Sequence, residues 1–223
     1  MFSHPGKGWL GMAILDDISQ AVQIGKKAEV VRLVEQAVGE GVSPDAILNE
    51  GLISAMDIVG DKFSKNEIFV PEMLVAARAM SAATEILKPL LAQEGAEPLG
   101  KACIGTVKGD LHDIGKNLVR MMMEGKGIEI EDLGVDVSPE AFVEYIKVHE
   151  DLQLVCLSAL LTTTMPALES TIKAIEEAGL RDRVKIMVGG APITQEFADQ
   201  IGADAYTRDA GSAATKAAEL LTA

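Results

Sequence analysis

Hydrophobic residues in the first half of the chain recur with the spacing of helices. Over Val30–Val38 the apolar positions follow an i, i+3, i+4, i+7, i+8 pattern, which predicts an amphipathic helix. The glycines Gly39 and Gly41 predict its end. A second helix is predicted to begin next, because Ser43 can cap it and Pro44 fits its first turn.

Further stripes complete this helical half. A weaker helix is predicted over residues 14–24, and Pro71 opens a long helical segment that ends near Leu91. The apolar positions that define the later stripes are Ile53, Met56, Val59, Gly60, Phe63, Met73, Ala77, Met80, Thr84, Leu87 and Leu91. Four or five antiparallel helices with short loops predict a small helical bundle over residues 12–92.

The pattern changes after Ala92–Gly100, a polar stretch with two glycines and a proline that is typical of a linker. Apolar runs and helical stripes then alternate. The predicted strands are Ala102–Val107, Ile128–Leu133, Leu154–Ser158, Lys185–Val188 and Ala205–Thr207. The predicted helices lie near Gly115–Glu124, Pro139–His149, Pro166–Ala178, Thr194–Gln200 and Gly211–Leu221. This alternation predicts an α/β, flavodoxin-like domain over residues 100–223, with a five-stranded parallel sheet.

Composition narrows the classes of function. The 223 residues carry a formal charge of −14, which argues against binding to nucleic acid or to an anionic membrane surface. The two cysteines, Cys103 and Cys156, lie in apolar runs and are expected to be buried thiols. No secretory segment or long apolar run is evident in the sequence, so we expect a cytoplasmic protein.

Candidate chemistry is concentrated after the first predicted strand, in the motif D-x-H-x-x-G formed by Asp110, His112 and Gly115. Ligands bind open parallel sheets at the carboxyl ends of the strands. An imidazole oriented by a nearby carboxylate is the usual arrangement of a metal-ligating histidine. A lone histidine on a loop is, however, more often a solvated side chain. His4 and His149 have no pattern of metal ligands around them, and we expect both to be solvated.

Three other loops should reach the same edge of the sheet. They are Ser158–Thr164, Gly189–Pro192 and Arg208–Ser212. The Gly189–Gly190 pair would permit close approach of a flat or extended ligand, although a glycine pair alone also fits a turn. Asp132 and Asp136 could form a carboxylate pair, but a solvated loop is the simpler interpretation.

These features together carry a resemblance. With D-x-H-x-x-G, the S-x-L motif Ser158–Ala159–Leu160 and the Gly189–Gly190 pair, the second half resembles the Rossmann-like cobalamin-binding domain. Residues 60–91 contain F-V-P-E-M-L-V-A-A-R-A-M and resemble the helical cap of methionine synthase and of corrinoid methyl-carrier proteins. The resemblance covers about residues 12–222.

The resemblance implies roles for individual residues. His112 would be the lower axial ligand of cobalt, and Asp110 would accept a hydrogen bond from its other ring nitrogen. Thr164 would complete a proton relay at a position where methionine synthase has serine. Phe69 and Met73, with Leu74 and Ala77, are candidates for contact with the upper corrin face. The remaining implied cobalamin-binding residues are Gly109, Asp113, Ile114, Gly115, Ser158, Leu160, Thr162, Gly189, Gly190 and Ala210.

The function implied by the resemblance is that of a non-catalytic corrinoid subunit. It would accept a methyl group on Co(I) cobalamin, form methylcobalamin as an intermediate, and pass the methyl group on. Its partners would be a substrate-specific methyltransferase, a second methyltransferase acting on tetrahydrofolate or a thiol, and a reductive activator. Methanol, methylamines, glycine betaine and aryl methyl ethers all remain open as methyl donors.

Three rival interpretations compete with that of a methyl carrier. An adenosylcobalamin mutase subunit shares D-x-H-x-x-G but normally lacks the helical cap. A cobalamin- or light-sensing regulator usually carries a DNA-binding or signalling module, which the sequence does not show. A generic flavodoxin-like binding domain leaves the joint occurrence of the loops and the cap unexplained.

Overall fold

The computed structural model describes residues 7–94 and 98–223, with side chains described from residue 13 to 91 and from 98 onward. The chain divides into two units, Met1–Glu97 and Pro98–Ala223. None of the helices in the described residues combines the length and apolar character needed to cross a membrane.

The first unit is helical, as the apolar spacing predicts. Its helices are α1 (Lys7–Gln23), α2 (Lys27–Gly39), α3 (Pro44–Ala46), α4 (Ser54–Ser64) and α5 (Val70–Glu94). The stripe of α2 is buried at Val30, Leu33, Val34 and Ala37. Ser43 caps α3 by accepting a hydrogen bond of 3.2 Å from the backbone N–H of Ala46. Burial of these stripes on one another provides the hydrophobic stabilisation of the bundle.

Two local features depart from the sequence prediction. The segment Ile47–Ile53 between α3 and α4 is a π-helix, a form that a hydrophobic pattern does not distinguish from an α-helix. The predicted linker Ala92–Gly100 is too long at both ends, because α5 continues to Glu94 and the first strand begins at Gly100. Residues 95–97 of that linker lie outside the described residues.

The second unit contains a five-stranded parallel sheet in the order β2-β1-β3-β4-β5. Its strands are β1 (Gly100–Thr106), β2 (Ile128–Asp132), β3 (Leu154–Ser158), β4 (Lys185–Gly189) and β5 (Ala205–Tyr206). Its helices are α6 (Ile114–Glu124), α7 (Pro139–Val148), α8 (Met165–Glu177), α9 (Gln195–Gln200) and α10 (Ala210–Thr222). The predicted flavodoxin-like architecture is confirmed, and each predicted strand agrees with an observed one to within two residues at either end.

Strand register brings the predicted loops to one edge. Thr106 of β1 pairs with Ser158 of β3, and Ser158 pairs with Gly189 of β4. The three strands therefore end level with one another, so the loops that follow them start from one row of the sheet. The site depends on this register, because the loops after β1 and β3 are separated by more than fifty residues in the sequence.

The central strands are buried, and their cysteines are buried thiols as predicted. Cys103 and Cys156 are both free. Burial raises the pKa of the Cys103 thiol well above its usual value, and burial raises that of Cys156 to about 12. Both cysteines therefore stay protonated at neutral pH and contribute packing to the core.

The prediction for His149 as a solvated histidine is wrong. Its ring stacks on Tyr145 with a centroid separation of 3.9 Å. Its Nδ1 donates a hydrogen bond of 2.8 Å to the carbonyl oxygen of Tyr145, one turn earlier in α7. The same carbonyl oxygen also accepts the backbone N–H of His149, so His149 binds the end of α7 through two groups, which sequence spacing alone did not reveal. His4 lies outside the described residues.

Candidate functional site

The loop after β1 presents one histidine held by one buried aspartate. The loop turns at Gly109, whose φ of +84° is readily available only to glycine. Asp110 is fully buried, whereas the side chain of His112 is 50% exposed. The Nδ1 atom of His112 lies 2.7 Å from Oδ1 of Asp110. Because a carboxylate oxygen accepts, Nδ1 carries the hydrogen and Nε2 is directed away from the aspartate.

The second carboxylate oxygen of Asp110 is held by the loop after β3. Oδ2 accepts hydrogen bonds from the backbone N–H groups of Leu160, at 2.7 Å, and Leu161, at 3.3 Å. It also accepts a hydrogen bond of 2.7 Å from the buried hydroxyl group of Thr164. The loops after β1 and β3 are therefore joined through one carboxylate, and the predicted contact between Thr164 and Asp110 is present.

These donors keep Asp110 ionised despite its burial. Burial by itself raises the pKa of a carboxyl group. The hydrogen bonds from Thr164, Leu160 and His112 outweigh that effect and hold the pKa of Asp110 well below its usual range. At neutral pH the side chain is therefore a charged acceptor with a fixed orientation, which can set the tautomer and ring angle of His112.

The side chain of Thr164 does not cap α8, although Thr164 occupies the N-cap position of that helix. Its hydroxyl group donates to Asp110 instead. We expect Thr164→Val, which keeps the shape and removes the hydroxyl group, to lower the free energy of unfolding by about 1.5–3 kcal/mol, since a charged acceptor loses one donor. Thr164→Ser keeps the donor and should stay within about 1 kcal/mol of wild type. Urea unfolding measures both values, and equal losses in the two variants would show that the hydroxyl group is not what matters.

Around His112 the protein exposes apolar side chains. Leu111 is 71% exposed and Ile114 is 77% exposed, and Leu160 and Leu161 across the edge are each 42% exposed. Exposed leucine and isoleucine clustered at one edge mark a binding surface for an apolar ligand. Gly115, on the first turn of α6, leaves open space where a β-carbon would stand.

These features fit a corrinoid. A large, mostly apolar ring with a central metal needs one nitrogen ligand, apolar contacts around that ligand and room at the backbone. His112 would provide the nitrogen, and the four exposed side chains of the loops would provide the apolar contacts. Gly115 and the exposed Asp113 flank the start of α6, where Asp113 accepts a hydrogen bond of 3.2 Å from the side-chain amide of Asn117.

The remaining predicted residues lie at the ends of β3, β4 and β5. Ser158 and Gly189 are neighbours in the sheet register, and both are partly exposed. Thr162 is exposed on the loop after β3, and Ala210 is the buried first residue of α10. Gly190 has a structural reason for being glycine, because a β-carbon there would lie 1.8 Å from the carbonyl oxygen of Ala159. Its value for ligand approach remains a prediction.

The four candidates for contact with the upper corrin face lie in the helical unit, where Ala77 is buried and Leu74 is partly buried. Phe69 immediately precedes α5 and is 65% exposed, whereas Met73 is fully buried. A buried side chain contributes to packing rather than to an open surface. Phe69 is therefore the best placed of the four for contact with a ligand or a partner, and its predicted role stays a prediction.

Sequence reasoning missed a group of supporting residues beside the loop after β1. Asp136, expected on a solvated loop, accepts a hydrogen bond of 2.7 Å from the backbone N–H of Gly109. Asp132 does not form a carboxylate pair with Asp136. It binds the buried Lys116, whose Nζ lies 2.5 Å from each of its carboxylate oxygens. A lysine on the apolar face of a predicted helix was the one available signal.

Comparisons with known proteins identify the family of the chain. Family models described as a B12 binding domain match residues 100–219 and, separately, residues 14–88. Dimethylamine corrinoid protein 1 of Methanosarcina acetivorans is 43% identical over 209 residues, which is 93% of this chain and 97% of that protein.

Two solved structures share the architecture. The monomethylamine corrinoid protein of Methanosarcina barkeri is 39% identical, with a TM-score of 0.54 over 93% of this chain and 98% of that one. A chain of the methanol:cobalamin methyltransferase complex of Methanosarcina barkeri is 27% identical, with a TM-score of 0.82 over 94% of this chain and 80% of that one. This chain therefore belongs to the cobalamin-binding corrinoid proteins of methyltransferase systems.

Proposed function

We propose that this protein is a methyl carrier in which His112 would be the residue that binds the cobalt of the corrinoid. The single observation that carries the proposal is the position of His112, whose Nδ1 is fixed 2.7 Å from Asp110 while half of its side chain is exposed. A bound corrinoid supplies a cobalt centre that can take up a methyl group and release it again. The protein contributes the ligand, its orientation and the surrounding surface.

The residues of the chain have distinct parts in this function. His112 offers Nε2 to the metal because its Nδ1–H is committed to Asp110. Asp110 holds the ring, and its fixed negative charge makes Nε2 of the imidazole a more basic ligand for a metal. Thr164 and the backbone N–H of Leu160 keep that carboxylate in place. The hydrogen bonds that link His112, Asp110 and Thr164 would allow a proton to be held or moved at the imidazole and the carboxylate.

We further propose that the methyl donor is a methylated amine. The support is that curated relatives at 40–45% identity are named dimethylamine and trimethylamine corrinoid proteins. The similar chain of the methanol complex is only 27% identical. The partners would be an amine methyltransferase, a second methyltransferase acting on a thiol or on tetrahydrofolate, and a reductive activator. Offering the reduced holoprotein to amine and to methanol methyltransferases tests this choice.

The helical unit favours a methyl carrier over an adenosylcobalamin mutase subunit. The match of residues 14–88 to a B12 binding domain model supports a cap of the kind found in methyl carriers. An adenosylcobalamin mutase subunit would not be expected to carry it.

Replacing the ligand tests the proposal. We expect His112→Ala to bind hydroxocobalamin more weakly, by about tenfold, and to lose the spectrum of histidine-ligated cobalt, because the substitution removes the ligating Nε2. The measurement is an ultraviolet–visible titration of the purified apoprotein. His149→Ala is the matched control and should retain the spectrum, since that ring stacks on Tyr145. An unchanged spectrum in His112→Ala would exclude His112 as the ligand.

A further inference from the structure

Asp136 has an unusual backbone. It is one of two non-glycine residues with a positive φ among the described residues, with a φ of +54°, and the other is Asn66 in the helical unit. A left-handed conformation costs free energy for any residue with a β-carbon, although aspartate and asparagine tolerate it best. Such a conformation persists where its surroundings hold it, often beside a functional site.

Its contacts lie on the backbone of the loop that carries His112. The carboxylate Oδ1 of Asp136 accepts a hydrogen bond of 2.7 Å from the N–H of Gly109. The N–H of Asp136 donates a hydrogen bond of 3.0 Å to the carbonyl oxygen of Asp110. Asp136 therefore binds the backbone of two consecutive residues, Gly109 and Asp110. These residues lie where the chain turns through the positive φ of Gly109.

The segment that bears Asp136 is anchored in turn. The side chain of Lys116 is only 1% exposed, and its Nζ lies 2.5 Å from both carboxylate oxygens of Asp132. Asp132 also accepts a hydrogen bond of 2.9 Å from the N–H of Gly134. The carbonyl oxygen of Gly134 accepts one of 3.0 Å from Thr106 at the end of β1. An ion pair between a buried lysine and a partly exposed aspartate thus fixes the loop between β2 and α7 against β1.

Thr106 closes the network on the histidine itself. Its hydroxyl group donates a hydrogen bond of 2.8 Å to the carbonyl oxygen of His112. The backbone from Gly109 to His112 is consequently held at both ends by groups that do not contact Nε2. Ligand geometry of this kind depends on supporting residues, because a shift of a fraction of an ångström misdirects the ring.

We propose that Asp136 is a positioning residue for cobalt ligation, acting through the backbone of Gly109 and Asp110. The inference rests on the proposed ligation by His112. The carboxylate of Asp136 fixes the turn, the turn sets the position of Asp110, and Asp110 orients the imidazole. Removing the carboxylate should therefore alter ligation without removing any group that touches the cofactor ligand.

The test uses two substitutions that separate strain from the hydrogen bond. Asp136→Gly removes the acceptor and relieves the positive φ, whereas Asp136→Asn keeps an acceptor oxygen and tolerates that φ. We expect Asp136→Gly to lower the fraction of histidine-ligated cobalt and to weaken hydroxocobalamin binding about tenfold, equivalent to one charge-assisted hydrogen bond. Asp136→Asn should stay within about threefold of wild type. Visible spectra and binding titrations give both quantities.

Asn66→Gly is the matched control, because it relieves the other positive φ far along the chain from the His112 loop. It should leave the spectrum and the affinity unchanged. A wild-type spectrum in Asp136→Gly overturns the inference alone, and so does equal impairment of Asp136→Gly and Asp136→Asn. Absence of histidine ligation in the wild-type protein overturns both this inference and the proposed role of His112.

Discussion

Gly190→Ala is expected to lower the free energy of unfolding by about 3 kcal/mol or more and to impair cobalamin uptake. A β-carbon at this position would lie 1.8 Å from the carbonyl oxygen of Ala159 and 2.8 Å from its carbonyl carbon. The φ of Gly190 is +140°, a conformation that alanine rarely adopts. The N–H of the same peptide group belongs to Leu160 and holds Asp110. Relief of the clash must therefore move a group that supports His112.

The neighbouring glycine provides a matched control. A β-carbon at Gly189 would meet only the carbonyl oxygen of Thr207, at the ordinary contact distance of 3.9 Å. Gly189→Ala should therefore change the free energy of unfolding by less than about 1 kcal/mol. Urea unfolding of both variants tests this contrast, and a hydroxocobalamin titration compares Gly190→Ala with the wild-type protein. Equal behaviour of Gly189→Ala and Gly190→Ala would show that the close approach to Ala159 is not decisive.

The elements of the sheet unit could be predicted because their signals are local. A parallel strand buried on both faces appears as a continuous apolar run, as in Leu154–Ser158, where prediction and structure coincide. The apolar spacing of the helices between the strands is equally direct. The π-helix Ile47–Ile53 carries no such signal, because its residues suit an α-helix equally well. The exact ends of helices also lack a clear sequence signal, because they depend on backbone contacts.

The candidate site was predictable only in its central parts. Asp110 and His112 are two residues apart, so their contact follows from the sequence once the loop is placed. The contact between Asp110 and Thr164 spans 54 residues and was inferred through the family resemblance. Asp136 escaped prediction because its contact with Gly109 depends on how two loops pack. Side chains that bind backbone groups of distant loops leave no periodic or spacing signal.

Gly190 shows a further limit of interpretation from sequence. A glycine pair after a strand suggests room for a ligand, and Gly189 agrees with that view. Gly190 instead contacts the protein's own backbone at Ala159. A glycine can thus be required because the chain approaches itself closely, and only the folded structure separates this reason from ligand approach.

Asp110→Asn is expected to lower the free energy of unfolding by about 3 kcal/mol at neutral pH and to reduce the fraction of histidine-ligated cobalt. Five hydrogen-bond donors converge on the carboxylate. Two belong to His112, its Nδ1–H and its backbone N–H, and three belong to the loop after β3. The backbone N–H of His112 is one of these donors, at 3.1 Å from Oδ1. Asparagine offers one acceptor oxygen, and its NH₂ group would face N–H or O–H donors.

The effect should depend on pH in a defined direction. The pKa of Asp110 is lowered in the folded protein, so the charged form stabilises the fold wherever the unfolded chain is also ionised. That stabilisation is complete above about pH 5 and declines as the pH falls below about 4, where aspartate in the unfolded chain takes up a proton. The difference between wild type and Asp110→Asn should therefore shrink in acid, as measured by urea unfolding at several pH values.

Asp113→Asn is the control for this pH dependence. It removes an exposed carboxylate three residues along the same loop, whose one described partner is the amide of Asn117. It should change the free energy of unfolding by less than about 0.5 kcal/mol at every pH. A difference between wild type and Asp110→Asn that stayed constant from neutral pH to pH 3 would show that the charge of Asp110 does not stabilise the loop. Support of His112 would then depend on the shape of the side chain at position 110, and the proposed proton movement through Asp110 would have no electrostatic basis.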